Sequence, residues 1–292
     1  VQDYTTEVQH AINRVQSREQ VDTVFDAARS SGVESISVDL VAGLPFQTRE
    51  SFRETLQQVV DSGADRIAIY GFAFMPNRIR AQKLIDPKSL PDRDTRLAIS
   101  RDTIEFLTDA GYVHIGMDHF ARPSDSLSIA LKNHSLQRNF QGYATHSECD
   151  QIGLGVSSIS KVGNAYSQNS SSLPEYYAHL DAGELPIQRG VSLSKDDMIR
   201  ARVIQQIMCQ QTVDYAPIES EFGIDFAEYF HDELYKLSHF EKDGLIHQEA
   251  ERFSISNAGR YFLRNIAMTF DRYLAIQLQD KDNQVLRFSR TI

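Results

Sequence analysis

The run Ser35-Ile36-Ser37-Val38-Asp39-Leu40-Val41-Ala42-Gly43-Leu44-Pro45 constrains this chain more than any other, because it reads as one buried strand closing on a turn. A parallel strand covered on both faces is a short apolar run, and Ile36, Val38, Leu40 and Val41 supply it without sustained polar alternation. Asp39 interrupts that run near its C-terminal end. Ligands of α/β sheets and barrels sit at that end of the strands. A carboxylate there is placed to meet a ribose hydroxyl or an amine, or else to cap the turn or pair with an arginine.

The flanking sequence repeats a strand-helix theme. Val8, Ala11, Ile12 and Val15 recur at helical spacing, which predicts an amphipathic helix with Arg14 near its end. Ser17 and Gln20 form a capping box for a second helix, whose Val21, Val24, Phe25 and Ala28 line one face until Gly32 stops it. Thr48 caps a third, striped by Phe52, Leu56, Val59 and Val60 and closed by Gly63. A strand over 66–71 follows, then a helix from about Asp94 to Ala110 with Leu97, Ile104 and Leu107 inward, then a short strand from Tyr112 to Met117. Such alternation predicts a parallel sheet or barrel.

The pattern changes after Pro123. Gly153-Leu154-Gly155 is a weak phosphate-loop signal, since no Walker lysine follows and no strong strand precedes it. From Ser194, which can cap a segment carrying Ile199, Val203, Ile207 and Met208, the sequence turns helical. Asp225 with Glu228 resembles another capping box, ahead of Phe226, Phe230, Leu234 and Leu237. A small hairpin from Asp243 leads into a helix near Arg260, as a winged-helix module ends. Glu228, Asp232 and Glu233 on the preceding helix would face phosphates poorly, so this part is expected to pack as a lid and not to bind DNA.

Composition narrows the chemistry. A net charge of −10 argues against a large nucleic-acid footprint, and no apolar run approaches the length of a membrane span. No secretory leader is read at the start, and two distant cysteines, Cys149 and Cys209, suit a reducing cytoplasm. Asp118, His119, His134, His146 and Cys149 share one region without a C-x-x-C or H-x-x-x-H pair, which disfavours zinc. A G-x-S-x-G elbow is absent. Gln2, Asp39 and the turn from Tyr70 to Ala73 remain, at equivalent ends of successive strand-helix units where they would converge on one ligand.

The chain closely resembles the C-terminal part of the oxygen-independent coproporphyrinogen III oxidase family, radical SAM enzymes of haem biosynthesis. The resemblance is carried by Val1-Gln2-Asp3, the run from Val38 to Pro45, Gly116-Met117-Asp118-His119-Phe120-Ala121-Arg122-Pro123 and Arg138-Asn139-Phe140-Gln141-Gly142-Tyr143, then by Asp214-Tyr215-Ala216-Pro217 and Phe288-Ser289-Arg290. It covers essentially the whole chain.

That resemblance implies an α/β fold. The C-terminal part of a partial (β/α)6 radical SAM barrel is expected over residues 1–123, and a mostly α-helical domain with a small winged-helix-like hairpin over 124–292, covering the active site. It also implies oxidative decarboxylation of two propionate side chains of coproporphyrinogen III to vinyl groups, giving protoporphyrinogen IX. S-adenosylmethionine (SAM) and a [4Fe-4S] cluster are the implied cofactors, and an electron donor and an acceptor the implied partners.

Family members bind two SAM molecules, and Gln2, Arg14, Asp39, Ala73 and Ile159 match the contacts to the second. Arg14 suits the methionine carboxylate, Asp39 and Gln2 an amine or hydroxyl, and Ala73 and Ile159 backbone and apolar contact. His119, Arg122, Arg138 and Arg189 are further candidates for the substrate's carboxylates.

One departure is plain. The family's C-x-x-x-C-x-x-C run is absent, and Cys149 and Cys209 cannot replace three closely spaced thiolates. The chain is accordingly expected to begin at the end of the fourth barrel strand and to be inactive as given. The rival readings are a haem chaperone of the same superfamily, whose usual Tyr-Trp run has no counterpart in a chain without Trp, and a winged-helix regulator.

Overall fold

The structure, a computed structural model, describes residues 1–146 and 149–274. The Phe288-Ser289-Arg290 run lies outside them. The chain divides between Ile129 and Ala130 into two compact units.

The first unit opens with α1 (Thr6–Ala11) and α2 (Arg18–Ser30). Ser17 and Gln20 cap α2 reciprocally, each side chain meeting the other's backbone amide. α1 is shorter than its apolar spacing predicts. It ends at Ala11 and Asn13 turns left-handed with φ of 52°, so Arg14 sits in the turn beyond the helix and not on it.

β1 (Ser37–Ala42), α3 (Arg49–Asp61) and β2 (Arg66–Gly71) form a parallel strand-helix-strand unit, with Asp39 opposite Ala68 and Val41 opposite Tyr70. Thr48 and Ser51 make the capping box of α3. α4 (Arg93–Asp109) follows, with Ile104 and Leu107 turned to the core as expected beside buried Ile99 and Thr103, but Leu97 is 45% exposed. Leu97 stands two residues from Ile99 and therefore on the other side of the helix.

β3 (Val113–Gly116) and β4 (His119–Ala121) then depart from simple alternation. The sheet order is β1-β2-β4-β3, with β4 antiparallel to both neighbours. Met117 adopts φ of 49° and reverses the chain in a tight turn, so β4 folds back into the gap between β2 and β3. Strand-helix spacing alone predicts no such insertion.

One face of this sheet is apolar. Val38, Leu40, Ile67 and Ile69 pack with Phe25 of α2, Phe52, Leu56 and Val59 of α3, and Ile99 and Leu107 of α4. Full burial of each such side chain contributes ~2 kcal/mol, which fixes the register of the whole sheet. The pleat therefore sends Asp39, Val41, Ala68, Tyr70 and His119 to the face away from the helices.

Past α5 (Ser126–Lys132), the second unit begins with the hairpin of β5 (Gln137–Asn139) and β6 (Gly142–Ala144). β7 (Ile159–Val162), β8 (Ala165–Asn169), α6 (Leu173–Asp181) and β9 (Ile187–Ser192) come next, and the three strands make an antiparallel sheet. Gly153 belongs to the packing of this sheet, since a Cβ there would stand 2.7 Å from the Ile159 carbonyl oxygen. Closeness of backbone, and not a phosphate, accounts for that glycine.

The remaining elements are α7 (Lys195–Gln210), β10 (Thr212–Asp214), α8 (Tyr215–Phe222), α9 (Phe226–Tyr229), α10 (His231–Lys242), β11 (Ile246–Gln248), β12 (Arg252–Ile255) and α11 (Leu263–Met268). The expected hairpin is β11 and β12, extended by β10 into a sheet of order β10-β12-β11. The helix read across Phe226 to Leu237 is two pieces, because Asp225 caps only the single turn of α9 and Phe230 interrupts the helix before α10. Tyr215 stacks on Phe226 with centroids 4.1 Å apart, and Phe230 and Phe253 pack on Phe270.

A charged tie holds these helices together. Asp196 of α7 accepts from Arg200 (3.0 Å), the Tyr229 hydroxyl (2.6 Å) and Arg272 (3.1 Å), and Arg200 also reaches Glu233 (2.9 Å). Burial alone pushes the Asp196 carboxyl up, and the bonds from Tyr229, Arg272 and Arg200 outweigh it and hold the carboxyl below its usual range. A depressed folded value means stability that is present above the unfolded value and lost as pH falls through the folded one. Asp196→Asn is therefore expected to lower the unfolding midpoint at pH 7, and the deficit should shrink below about pH 4 in a melting series. Among the described residues no helix is long and apolar enough to cross a membrane.

Candidate functional site

The C-terminal end of β1 is joined by the first residues of the chain. The Val41 amide donates to the Gln2 carbonyl (3.0 Å), so residues 1–3 run alongside the strand end. The next residue, Asp3, is 1% exposed and its carboxylate is fully engaged. It accepts from the Thr5 amide (2.6 Å), the Thr55 hydroxyl (3.2 Å) and the Gln47 side-chain amide (2.7 Å).

Gln47 is the other half of this clamp. Its amide nitrogen also donates to the Val41 carbonyl (2.8 Å), while its oxygen accepts from the Gly43 (2.6 Å) and Leu44 (3.1 Å) amides. The turn after β1 is thereby locked to the segment carrying Gln2. Gly43 itself has φ of +88°, and a Cβ there would press at 3.3 Å on the Arg96 stem, so glycine suits the position twice over.

A second buried glutamine presents Arg14. Gln9, 4% exposed, donates to the carbonyls of Asp3 (2.7 Å) and Gln16 (2.9 Å) and accepts from the Gln16 amide (3.0 Å). The Arg14 amide closes the same turn on the Gln9 carbonyl (2.9 Å). Arg14 is thus held beside residues 1–3. Burial lowers the proton affinity of the Val1 amine first, the Arg14 guanidinium lowers it further, and the Asp39 carboxylate raises it, so both charges lie within electrostatic reach of residue 1.

Asp39 and Arg14 are exposed, and among the described residues neither side chain has a hydrogen-bonded or ion-paired partner. Ala73 lies just past β2, where the Phe72 amide donates to the Ala42 carbonyl (2.8 Å) and links the two strand ends. Buried Gln82 fixes the Ala73 carbonyl (2.9 Å). Gln2, Arg14, Asp39 and Ala73 therefore all belong to one end of the first unit's sheet. Ile159 belongs to the second unit, half-buried on β7 opposite Gln168.

The other candidates have structural occupations. Arg122 lies at the opposite end of β2, donating to the Ala64 carbonyl (3.1 Å) with its guanidinium over the Tyr112 ring, so it is no strand-end ligand group. Arg138 sits over the Tyr143 ring (4.8 Å), and Arg189 donates to the Gln168 side chain (2.8 Å). His119 shares the Asp39 face, with its Nδ1 2.7 Å from Asp118 and its ring edge-on to Tyr70. Burial pushes the Cys209 thiol up to about 12, which leaves it unreactive.

Opposite charges separated along one strand end, with backbone groups between them, fit an amino acid joined to a nucleoside: a guanidinium for the carboxylate and a carboxylate for the ammonium or ribose hydroxyls. SAM has that shape. An iron-sulfur cube does not fit, since the chain has two cysteines and, among the described residues, no group of His, Cys, Asp and Glu could hold a metal.

Comparison with known proteins bears on the family of the chain. A profile described as the HemN C-terminal domain matches residues 193–262. The oxygen-independent coproporphyrinogen III oxidase of Pseudomonas aeruginosa is 46% identical over 274 residues, covering 94% of this chain and 60% of that protein. The Escherichia coli protein of the same name is 41% identical over 292 residues, covering 100% of this chain and 63% of its own length. That of Thermostichus vulcanus is 42% identical over 275 residues and is covered to 85%. A solved structure of coproporphyrinogen III oxidase (HemN) from Escherichia coli, described as a radical SAM enzyme, superposes with a TM-score of 0.91 at 42% identity, over 94% of this chain and 63% of that one. The chain spans about 60% of the length of the first two relatives.

Proposed function

Because the chain belongs to the oxygen-independent coproporphyrinogen III oxidase family, we propose that it serves the radical SAM decarboxylation of two propionate side chains of coproporphyrinogen III to vinyl groups, giving protoporphyrinogen IX. The observation that carries this reading is the pair of exposed opposite charges, Arg14 and Asp39, at one strand end, neither of which has a hydrogen-bonded or ion-paired side-chain partner among the described residues.

SAM supplies the group that takes hydrogen from the propionate β-carbon. Arg14 binds the methionine carboxylate of the second SAM of the pair, and Asp39 binds its ammonium or ribose hydroxyls. Gln2 and Ala73 offer backbone and amide groups beside them. The clamp of Asp3, Gln9 and Gln47 holds these groups in place, so that little order is lost when the ligand arrives. The [4Fe-4S] cluster finds no set of three closely spaced thiolates in this chain, whose two cysteines lie 60 residues apart. An external electron donor and acceptor complete the reaction. Two distant cysteines support a reducing, cytoplasmic setting.

Relatives named as oxidases leave the chaperone and regulatory readings without support. The test is anaerobic turnover of coproporphyrinogen III with SAM and a reductant. This chain is compared with a form in which the cysteine-bearing part of the Escherichia coli relative is joined ahead of Val1. Protoporphyrinogen IX is expected from the joined form, and a joined form that carries its cluster yet makes no product overturns the proposal.

A further inference from the structure

The crossover from β2 to α4 carries a feature that the SAM site does not use. Between Pro76 and Pro91 stand four cations, Arg78, Arg80, Lys83 and Lys88, and one anion, Asp86, a local charge of 4 − 1 = +3 in a chain of −10. All four cations are exposed, and among the described residues none is ion-paired. Between them Leu84 is 91% exposed and Ile79 41% exposed.

The segment is nevertheless well anchored. Buried Gln82 reaches back to the Ala73 carbonyl and the Met75 amide, and the stretch is built from two short 3-10 turns, Arg80–Leu84 and Pro87–Ser89. It begins at Ala73, on the end of the sheet where Asp39 stands.

Unpaired cations around an exposed apolar spot, at the ligand-bearing end of an α/β sheet, suit a ligand with an apolar body and several carboxylates. The loop's charge opposes that of the whole chain, so its cations stand out as a local patch. We infer that this crossover recognises the substrate, Arg78, Arg80 and Lys83 taking propionate carboxylates while Leu84 meets the tetrapyrrole ring. This rests on the decarboxylase reading above and adds to it the part of the chain that selects a polycarboxylate tetrapyrrole.

The test is binding of coproporphyrin III, the stable aromatic form of the substrate with all four carboxylates, followed by its fluorescence on the whole chain. Its tetramethyl ester is the uncharged control. The free acid is expected to bind at least ~10-fold tighter than the ester at low salt and to lose that advantage as salt rises. The triple variant Arg78→Gln/Arg80→Gln/Lys83→Gln, which alters only exposed side chains, is expected to weaken the acid by ~10-fold and leave the ester unchanged. Leu84→Ser should weaken both alike.

Equal binding of acid and ester overturns the inference, as does a triple variant that binds the acid like the parent, or a parent that binds neither. The readout is binding and not product. A negative result here beside intact turnover by the joined form removes the loop's role and leaves the decarboxylase reading standing.

Discussion

Gln47→Leu is expected to destabilise the first unit by at least ~3 kcal/mol, read as a shift in the urea midpoint by far-ultraviolet circular dichroism. The replacement keeps the volume and removes every hydrogen bond of the side chain. The Gly43 and Leu44 amides lose their acceptor, and the Val41 carbonyl and Asp3 carboxylate lose a donor. A stranded buried group costs about 1–3 kcal/mol, and a carboxylate more than a neutral one. Gln47→Glu should not rescue the loss, because it keeps the two acceptor bonds but sets a second carboxylate against Asp3. A Gln47→Leu protein as stable as the parent would mean that water replaces the clamp without penalty.

The expected damage also has an address. Amide exchange at Gly43 and Leu44 should quicken more than exchange in the α3 interior, since those two amides are the donors set free.

Local chemistry made much of this molecule readable from its residues. Ser17 with Gln20, and Thr48 with Ser51, carry their own helix starts, and a single apolar run marks β1. Asp39 stood out because one polar side chain in such a run must face away from the helices or find a partner, and it does face away. The second unit's last sheet was half legible. Its hairpin carries turn residues, whereas β10 pairs with β12 across about forty residues that no local pattern spans.

What stayed hidden depends on distance along the chain. Asp3 meets Gln47 across 44 residues and Thr55 across 52, and nothing in the spacing of polar residues announces that meeting. The turn at Met117 that inserts β4 rests on a left-handed residue which its side chain does not favour. Apolar spacing carries a helix through Arg14 to Val15, whereas Asn13 and the Gln9 side chain end it a turn earlier.

The largest functional effect belongs to Arg14 and Asp39. Charge-assisted bonds of the kind proposed contribute ~1.5–3 kcal/mol each, so either alanine substitution should weaken SAM at this site by about 10–100-fold, and the pair together should empty it at ordinary ligand concentrations. Both side chains are exposed and unpartnered among the described residues, so their removal should leave the fold intact, which the unfolding midpoint will show. The decisive measurement is the number of SAM molecules retained per cluster-loaded joined form in anaerobic equilibrium dialysis. Two are expected in the parent, and one in Arg14→Ala/Asp39→Ala. Retention of two by the double variant, or of only one by the parent, would contradict the assignment of a SAM site to this strand end.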